Sequence, residues 1–226
     1  MLLLCSPHNP VGRVWTQEEL SRLFALARRH GVIVVSDEVH GDLSYHASAR
    51  HRPFGSLPGA EAGVITLLSA GKSFNIAGLE LAVAVTADIA LRERFEQALR
   101  IGGLAEANLF ALVAAEAAWR EGDAWLRELV SYLAETADWL GQRLAEVVPS
   151  VGYRPPEFGY LAWLDCRRLG LDDAVLQRRM VQVARLGLNP GTDFGPGGEG
   201  YMRLNFATSR AVLEEALLRL QRVFGG

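Results

Sequence analysis

The sequence has no surplus of positive charge: 23 Lys and Arg residues face 26 Asp and Glu residues, a formal net charge of −3. Nucleic-acid binders draw affinity from releasing phosphate counterions, so nucleic acid is not an expected partner. No apolar run approaches the ~20 residues that cross a bilayer, so no membrane span is expected either. The opening Met1-Leu2-Leu3-Leu4-Cys5 lacks the basic lead and long apolar core of a signal peptide. It reads instead as a strand that begins with the chain. Cysteine is scarce, with Cys5 and Cys166 each inside an apolar, strand-like run. Two such thiols make no disulfide framework, and a reducing cytoplasm is the expected compartment. Wholesale disorder is excluded, because 50% of the 226 residues are hydrophobic and 22% charged, enough for a sizeable core.

Familiar functional motifs are missing as well. Gly195-Pro196-Gly197-Gly198-Glu199-Gly200 has the letters of a dinucleotide fingerprint. That loop must follow a strand and open a helix, whereas this one precedes a strand, so it reads as a flexible connection. Gly71-Lys72-Ser73 resembles the tail of a P-loop, but Thr66 stands where the first glycine must be. His40, His46 and His51 lie near Asp37 and Glu38, yet their spacings match no common zinc pattern, and no metal is expected. No G-x-S-x-G nucleophile elbow occurs.

What is present is an alternation of strands and helices. Thr16 with Glu19 is a capping box, followed by Leu20, Leu23, Phe24 and Ala27 on one helical face that stops at Gly31. The β-branched run 32–35 has no polar alternation, as in a parallel strand covered on both faces. Residues 63–69 and 81–85 repeat that character. Residues 108–120 are Ala-rich and helical. A long amphipathic helix after Gly122 carries Leu126, Leu129, Val130, Leu133, Ala137, Leu140 and Leu144, and Pro149 ends it. Strands are expected at 159–165 and 202–206, a helix near 172–185 between them, and a last helix with Leu213, Leu217, Leu220 and Phe224 on one stripe. The fold class is therefore α/β, with a boundary near Gly122 separating residues 1–122 from 123–226.

Polar residues gather at the ends of consecutive strands. Asn9 follows the first, Asp37 the second, and Ser69 and Lys72 the third. In an open parallel sheet, ligands bind at these carboxyl ends. Singly, Asn9 could make a turn before Pro10, Asp37 could cap the next segment, and Lys72 could be a solvated loop residue. Together they put an amide, a carboxylate, a hydroxyl and an amine on one rim, which suits an anionic, nitrogen-containing cofactor. Lys72 is also the only lysine in the chain. Trp15, Tyr45, Tyr160 and Trp163 could line a pocket, but strand aromatics more often belong to the core.

The motifs Asn9-Pro10-Val11-Gly12, Ser36-Asp37-Glu38-Val39-His40, Ser69-Ala70-Gly71-Lys72-Ser73-Phe74-Asn75 and Arg203-Leu204-Asn205 resemble, in order and spacing, those of fold-type-I pyridoxal-phosphate enzymes of the class I and II aminotransferase superfamily. The D-E-V-H and K-S-F-N-I variants are most similar to the cystathionine β-lyase (MalY/PatB-like C–S lyase) branch. The resemblance implies pyridoxal 5′-phosphate attached to Lys72, which then serves as the base for the substrate Cα proton. It implies Asp37 against the pyridine nitrogen, Asn9 on the phenolic oxygen, and His40 where aminotransferases usually carry Tyr. Ser69 would donate to the cofactor phosphate, and Arg203 would clamp the α-carboxylate of an amino-acid substrate. The implied activity is β-elimination from a sulfur amino acid by a homodimer. An aminotransferase and a non-catalytic remnant are the alternatives.

Two departures from the family pattern stand out. Glu80 occupies the place where many aminotransferases carry a phosphate-binding arginine. Upstream of Asn9 there is no room for the strands, the glycine-bearing phosphate loop and the ring-stacking aromatic of family members, so the chain is expected to be a fragment. Residues 1–122 then correspond to the remainder of the large cofactor domain, with a partial, parallel-rich sheet, and 123–226 to the C-terminal α/β small domain.

Overall fold

A computed structural model describes residues 1–45 and 49–225. His46 lies outside the described residues. Two compact units organise the chain: Met1–His8 with Val14–Val130, and Asn9–Arg13 with Ser131–Gly226.

In the first unit, β1 (Leu2–Cys5) leads to the expected capping box. The Glu19 N–H donates to Thr16 Oγ1 at 3.2 Å and the Thr16 N–H donates to Glu19 Oε2 at 2.9 Å. This reciprocal pairing satisfies donors that would otherwise be orphaned at the start of α1 (Gln17–Arg29). Gly31, at φ +61°, takes the left-handed turn after the helix. Then β2 runs Val34–Asp37, so Asp37 is the last residue of the strand, and β3 runs Val64–Leu68. All three strands are parallel. Leu20, Phe24 and Ala27 of α1 pack with Leu4, Val34, Val64 and Phe54 in one cluster. Leu20 and Phe54 are fully buried, and each such side chain contributes about 1.5–3 kcal/mol.

One expectation for this sheet is corrected. After the single-turn α2 (Ala70–Ser73), β4 (Val83–Val85) pairs antiparallel with β3, not as another parallel strand. A parallel return needs a crossover, usually a full helix. Here the connection holds only α2 and the 3-10 turn Ala77–Leu79. Ala84 and Val85 are exposed, so the apolar run is not a strand covered on both faces.

Next comes α3 (Ile89–Ile101), which the sequence reading passed over. Its Asp88 cap is plain, but Leu91 is its only buried residue, so no apolar stripe advertises it. It is followed by α4 (Leu109–Glu121) and α5 (Asp123–Val147), whose residues from Ser131 onward belong to the second unit. Of the α5 stripe, Leu133, Ala137, Leu140 and Leu144 are buried.

The second unit is built on an antiparallel sheet in the order β5 (Gly152–Tyr153), β6 (Leu161–Asp165), β8 (Tyr201–Asn205), β7 (Asn189–Pro190). Side chains alternate with period 2: Ala162, Leu164, Met202 and Leu204 are buried, and Trp163, Tyr201 and Arg203 occupy the other face. All four stripe residues of α7 (Arg210–Phe224) are buried. The helix expected near 172–185 is shorter: α6 (Asp173–Arg178) gives way to a π-helical turn at Arg179–Val183. The glycine segment 195–200 is also corrected, from a loose connection to a closely packed one. A Cβ at Gly198 would lie 2.0 Å from the Gly191 carbonyl oxygen, and the Gly200 N–H donates to Asp173 Oδ1 at 2.8 Å. Among the described residues, no helix is long and apolar enough to cross a membrane.

Candidate active site

Strand register builds a polar rim in the first unit. Cys5 pairs with Asp37 and Asp37 with Leu67, so the carboxyl ends of β1, β2 and β3 lie level. Asp37 is exposed there, and one carboxylate oxygen accepts from its own loop, the Val39 N–H, at 3.3 Å. Ser69, just past β3, caps α2: its Oγ accepts from the Gly71 N–H at 3.0 Å and donates to the Leu81 carbonyl at 2.7 Å. A Cβ on Gly71 would press on Ser69 Oγ at 3.0 Å and on the Ala77 backbone at 3.1 Å, which explains a glycine beside the lysine. Lys72 is half-buried in α2, and its ammonium makes no hydrogen bond or ion pair among the described residues. Ser73 donates to Asp42 at 3.1 Å, tying α2 to the turn Gly41–Leu43 that buried His40 precedes.

Behind the rim sits a buried pair whose role the sequence did not disclose. One Glu38 oxygen accepts from the Phe54 N–H at 2.8 Å, and the other lies 2.8 Å from His51 Nε2. Glu38 and His51, weighed in the sequence only as metal candidates, instead anchor the loop after β2. Beside them is a cavity of about 610 Å³ lined by Glu38, Asp42, Arg50, His51, Ser69 and Trp119. Its size suits a small ligand, yet Ser69 alone of the expected site residues reaches it.

The second unit brings Asn9 and Arg203 together. Gly12 of the Asn-Pro-x-Gly segment has φ +75°, and a Cβ there would lie 2.4 Å from Pro156 Cβ. Its carbonyl accepts from the Glu157 N–H at 2.7 Å, which fastens residues 9–13 to this unit. Arg203 Nη1 then donates to Asn9 Oδ1 at 3.1 Å and Nη2 to Asn189 Oδ1 at 2.9 Å. Its Nε is buried and has no partner among the described residues. Burial holds the guanidinium below the usual arginine range, partly offset by Tyr160 and Asp193. Burial likewise pushes the Tyr160 hydroxyl up, with Arg203 opposing. Sequence reasoning missed Asn189, which has no motif; only its pairing opposite Arg203 in the β7–β8 ladder reveals it.

Two groups of the first unit fit a pyridoxal phosphate. An uncommitted amine at Lys72 and an exposed carboxylate at Asp37 match its aldehyde and its pyridine nitrogen. In the second unit Asn9 spends its oxygen on Arg203, which leaves its NH₂ able to donate. Ser69 fits less readily, because its single proton is committed to Leu81. Asp37, His40, Ser69 and Lys72 belong to the first unit, and Asn9 and Arg203 to the second.

Known proteins resemble the chain over nearly its whole length. The family profile "Aminotransferase class I and II" matches residues 1–220. The chain is 42% identical over 222 residues to cystathionine beta-lyase PatB of Bacillus subtilis (strain 168), covering 98% of this chain and 57% of PatB. It is 35% identical over 221 residues to protein MalY of Escherichia coli (strain K12), covering 97% of this chain and 56% of MalY. The structure of cystalysin from Treponema denticola, which contains a pyridoxal 5′-phosphate cofactor, matches with a TM-score of 0.94 at 30% identity, covering 98% of this chain and 56% of that one. The chain thus spans a little under three-fifths of the length of these relatives.

Proposed function

The chain belongs to the class I and II aminotransferase family, in its PatB/MalY cystathionine β-lyase branch, and on that premise we propose that it carries much of a pyridoxal-phosphate-dependent C–S β-lyase. The reaction is β-elimination from cystathionine or a related cysteine S-conjugate, in which water is taken up and thiol, pyruvate and ammonia are released. The observation that carries the reading is Lys72, the sole lysine of the chain, beside the sheet end that bears Asp37 and with its amine uncommitted.

The bound cofactor supplies an electron sink for the pair left when the Cα–H bond breaks. Everything else falls to side chains. Arg203 binds the substrate carboxylate through a charge-assisted fork, already oriented by Asn9 and Asn189. Lys72 Nζ takes the Cα proton and Asp37 keeps the pyridine nitrogen protonated. Asn9, with His40 in the position usually held by Tyr, steadies the phenolic oxygen. As the Cβ–S bond breaks, the sulfur leaves with its electron pair and is protonated to the thiol. In this reading residues 1–122 contribute the cofactor groups, residues 123–226 contribute Arg203, and the complete enzyme is a homodimer.

The test pairs attachment with product. Borohydride reduction in the presence of pyridoxal phosphate should fix the label on the Lys72 peptide, and cystathionine should give pyruvate without any keto-acid acceptor. Label on no peptide, or only on the terminal amine, removes Lys72 from catalysis. Strict dependence on a keto acid replaces the lyase with an aminotransferase.

A further inference from the structure

The face of the second unit's sheet opposite its buried side carries a continuous ladder of rings and cations. Trp163 stacks on Tyr201 with centroids 5.1 Å apart and planes within 8°. Phe194 meets Trp163 edge-on at 5.6 Å, and the Arg203 guanidinium carbon lies 4.7 Å over the Phe194 ring. At the other end Arg167 lies 4.9 Å over Tyr201 and grips both oxygens of Asp165 at 2.9 and 2.7 Å. Period-2 alternation and register put Trp163, Tyr201 and Arg203 on one face, with Trp163 opposite Arg203.

The two asparagine contacts of Arg203 lie at the tips of its fork and act in its plane. They do little to resist tilting of that plane. The Phe194 ring, 4.7 Å from the guanidinium carbon, adds a contact that does resist it, because the cation–π attraction weakens once the guanidinium lifts away. Phe194, though 38% exposed, is held by its backbone: it ends the turn Gly191–Phe194, where Gly191 and Gly198 approach too closely to admit a side chain. Its ring is also braced by Trp163. The remaining donor, Nε, is buried and unpaired among the described residues, a costly state for a charged group unless an anion completes it.

We propose that Phe194 is a positioning residue for Arg203, holding the guanidinium plane so that Nε and the fork present preset donors to a substrate carboxylate. This rests on the assignment of Arg203 as the carboxylate clamp, and it adds a residue with no polar atom to that machinery.

Arginine Nε–H resonances of the ¹⁵N-labelled chain, titrated with S-methyl-L-cysteine, provide the test, with the Arg203 signal assigned by its loss in Arg203→Lys. In the wild-type chain the Arg203 signal should move with added ligand. Phe194→Leu should weaken the apparent affinity about tenfold and hasten exchange of the Nε proton with water, whereas Phe194→Tyr should stay within about twofold. Should Phe194→Leu fail to fold, Phe194→Met, which keeps bulk but no ring face, takes its place. Affinity in the ring-less variant within twofold of wild type, while Arg203→Lys abolishes binding, overturns the role of Phe194 and leaves the clamp standing. No ligand response of Arg203 in the wild-type chain, or unchanged binding in Arg203→Lys, overturns the clamp and the proposal with it.

Discussion

Asp37, the last residue of β2, and Glu38, the first residue after it, are neighbours in sequence with opposite fates: one is exposed and the other buried. Asp37 is exposed at the rim formed by the strand ends. Glu38 is turned inward and accepts from the Phe54 N–H and from His51. Removing it strands both donors in a dry place, at roughly 1–3 kcal/mol for each group left bare. Glu38→Ala should therefore lose about 3 kcal/mol in urea unfolding, and Glu38→Gln about half of that, since an amide oxygen still accepts from Phe54. Equal losses in the two variants would show that the hydrogen bond to Phe54 contributes nothing. Nothing local in the sequence identifies this pair. The motif that holds Asp37 and His40 is readable, but the partners of Glu38 lie far along the chain and are chosen by the loop's path.

At the scale of elements, end signals decide how well each helix can be read. The capping box of α1 and the buried stripe of α7 are both written within a few turns of chain, and both elements form where their patterns indicate. Helix α3 lacks the stripe and hangs on Asp88, whose two oxygens accept from the Leu91 N–H at 3.0 Å and the Gly63 N–H at 3.1 Å. These bonds, Leu91 foremost and then Gly63, hold the Asp88 carboxyl below its ordinary value of 3.8. A depressed carboxyl favours the folded state above its unfolded pKa, and that contribution is lost as pH falls through the lower folded value. Stability measured by denaturant at pH 5 and at pH 3 should thus fall less in Asp88→Asn than in the wild type. Asparagine can still cap Leu91 but neither titrates nor satisfies Gly63 equally well, so the variant should also start lower at pH 5. An identical acid limb in both proteins would remove Asp88 from the pH response.

For the whole molecule, the telling feature is apolar surface left in water. Ile101 is 80% exposed and Phe110 76%, with Leu104, Leu109 and Val113 nearby in sequence and also exposed. The first sheet has β1 and β4 at its edges among the described residues, with Leu3 and Val85 exposed on them. Large exposed apolar patches and unpaired strand edges promote association. The isolated 226-residue chain is expected to self-associate at micromolar concentration and to bind pyridoxal phosphate weakly. Sedimentation velocity across a dilution series, with cofactor titration at each concentration, checks both. A concentration-independent monomer with tight, stoichiometric cofactor binding would show that these faces need no cover.

By itself the sequence determined what neighbouring residues can settle. That includes the α/β alternation, the capped and striped helices, and the Asn9, Asp37, Ser69, Lys72 and Arg203 motifs at strand ends or on a strand. Hydrophobic period and cap chemistry are short-range properties, legible wherever the pattern is strong. Only the tertiary structure decided the direction of β4, the two-residue strands β5 and β7, and the company kept by Arg203. A two-residue strand has no period to read and exists because a longer neighbour offers it hydrogen bonds. The fork of Arg203 meets Asn9, 194 positions away, as well as Asn189 and the face of Phe194. Such contacts are fixed by sheet register and by the close packing of Gly12 on Pro156, which no window of sequence contains.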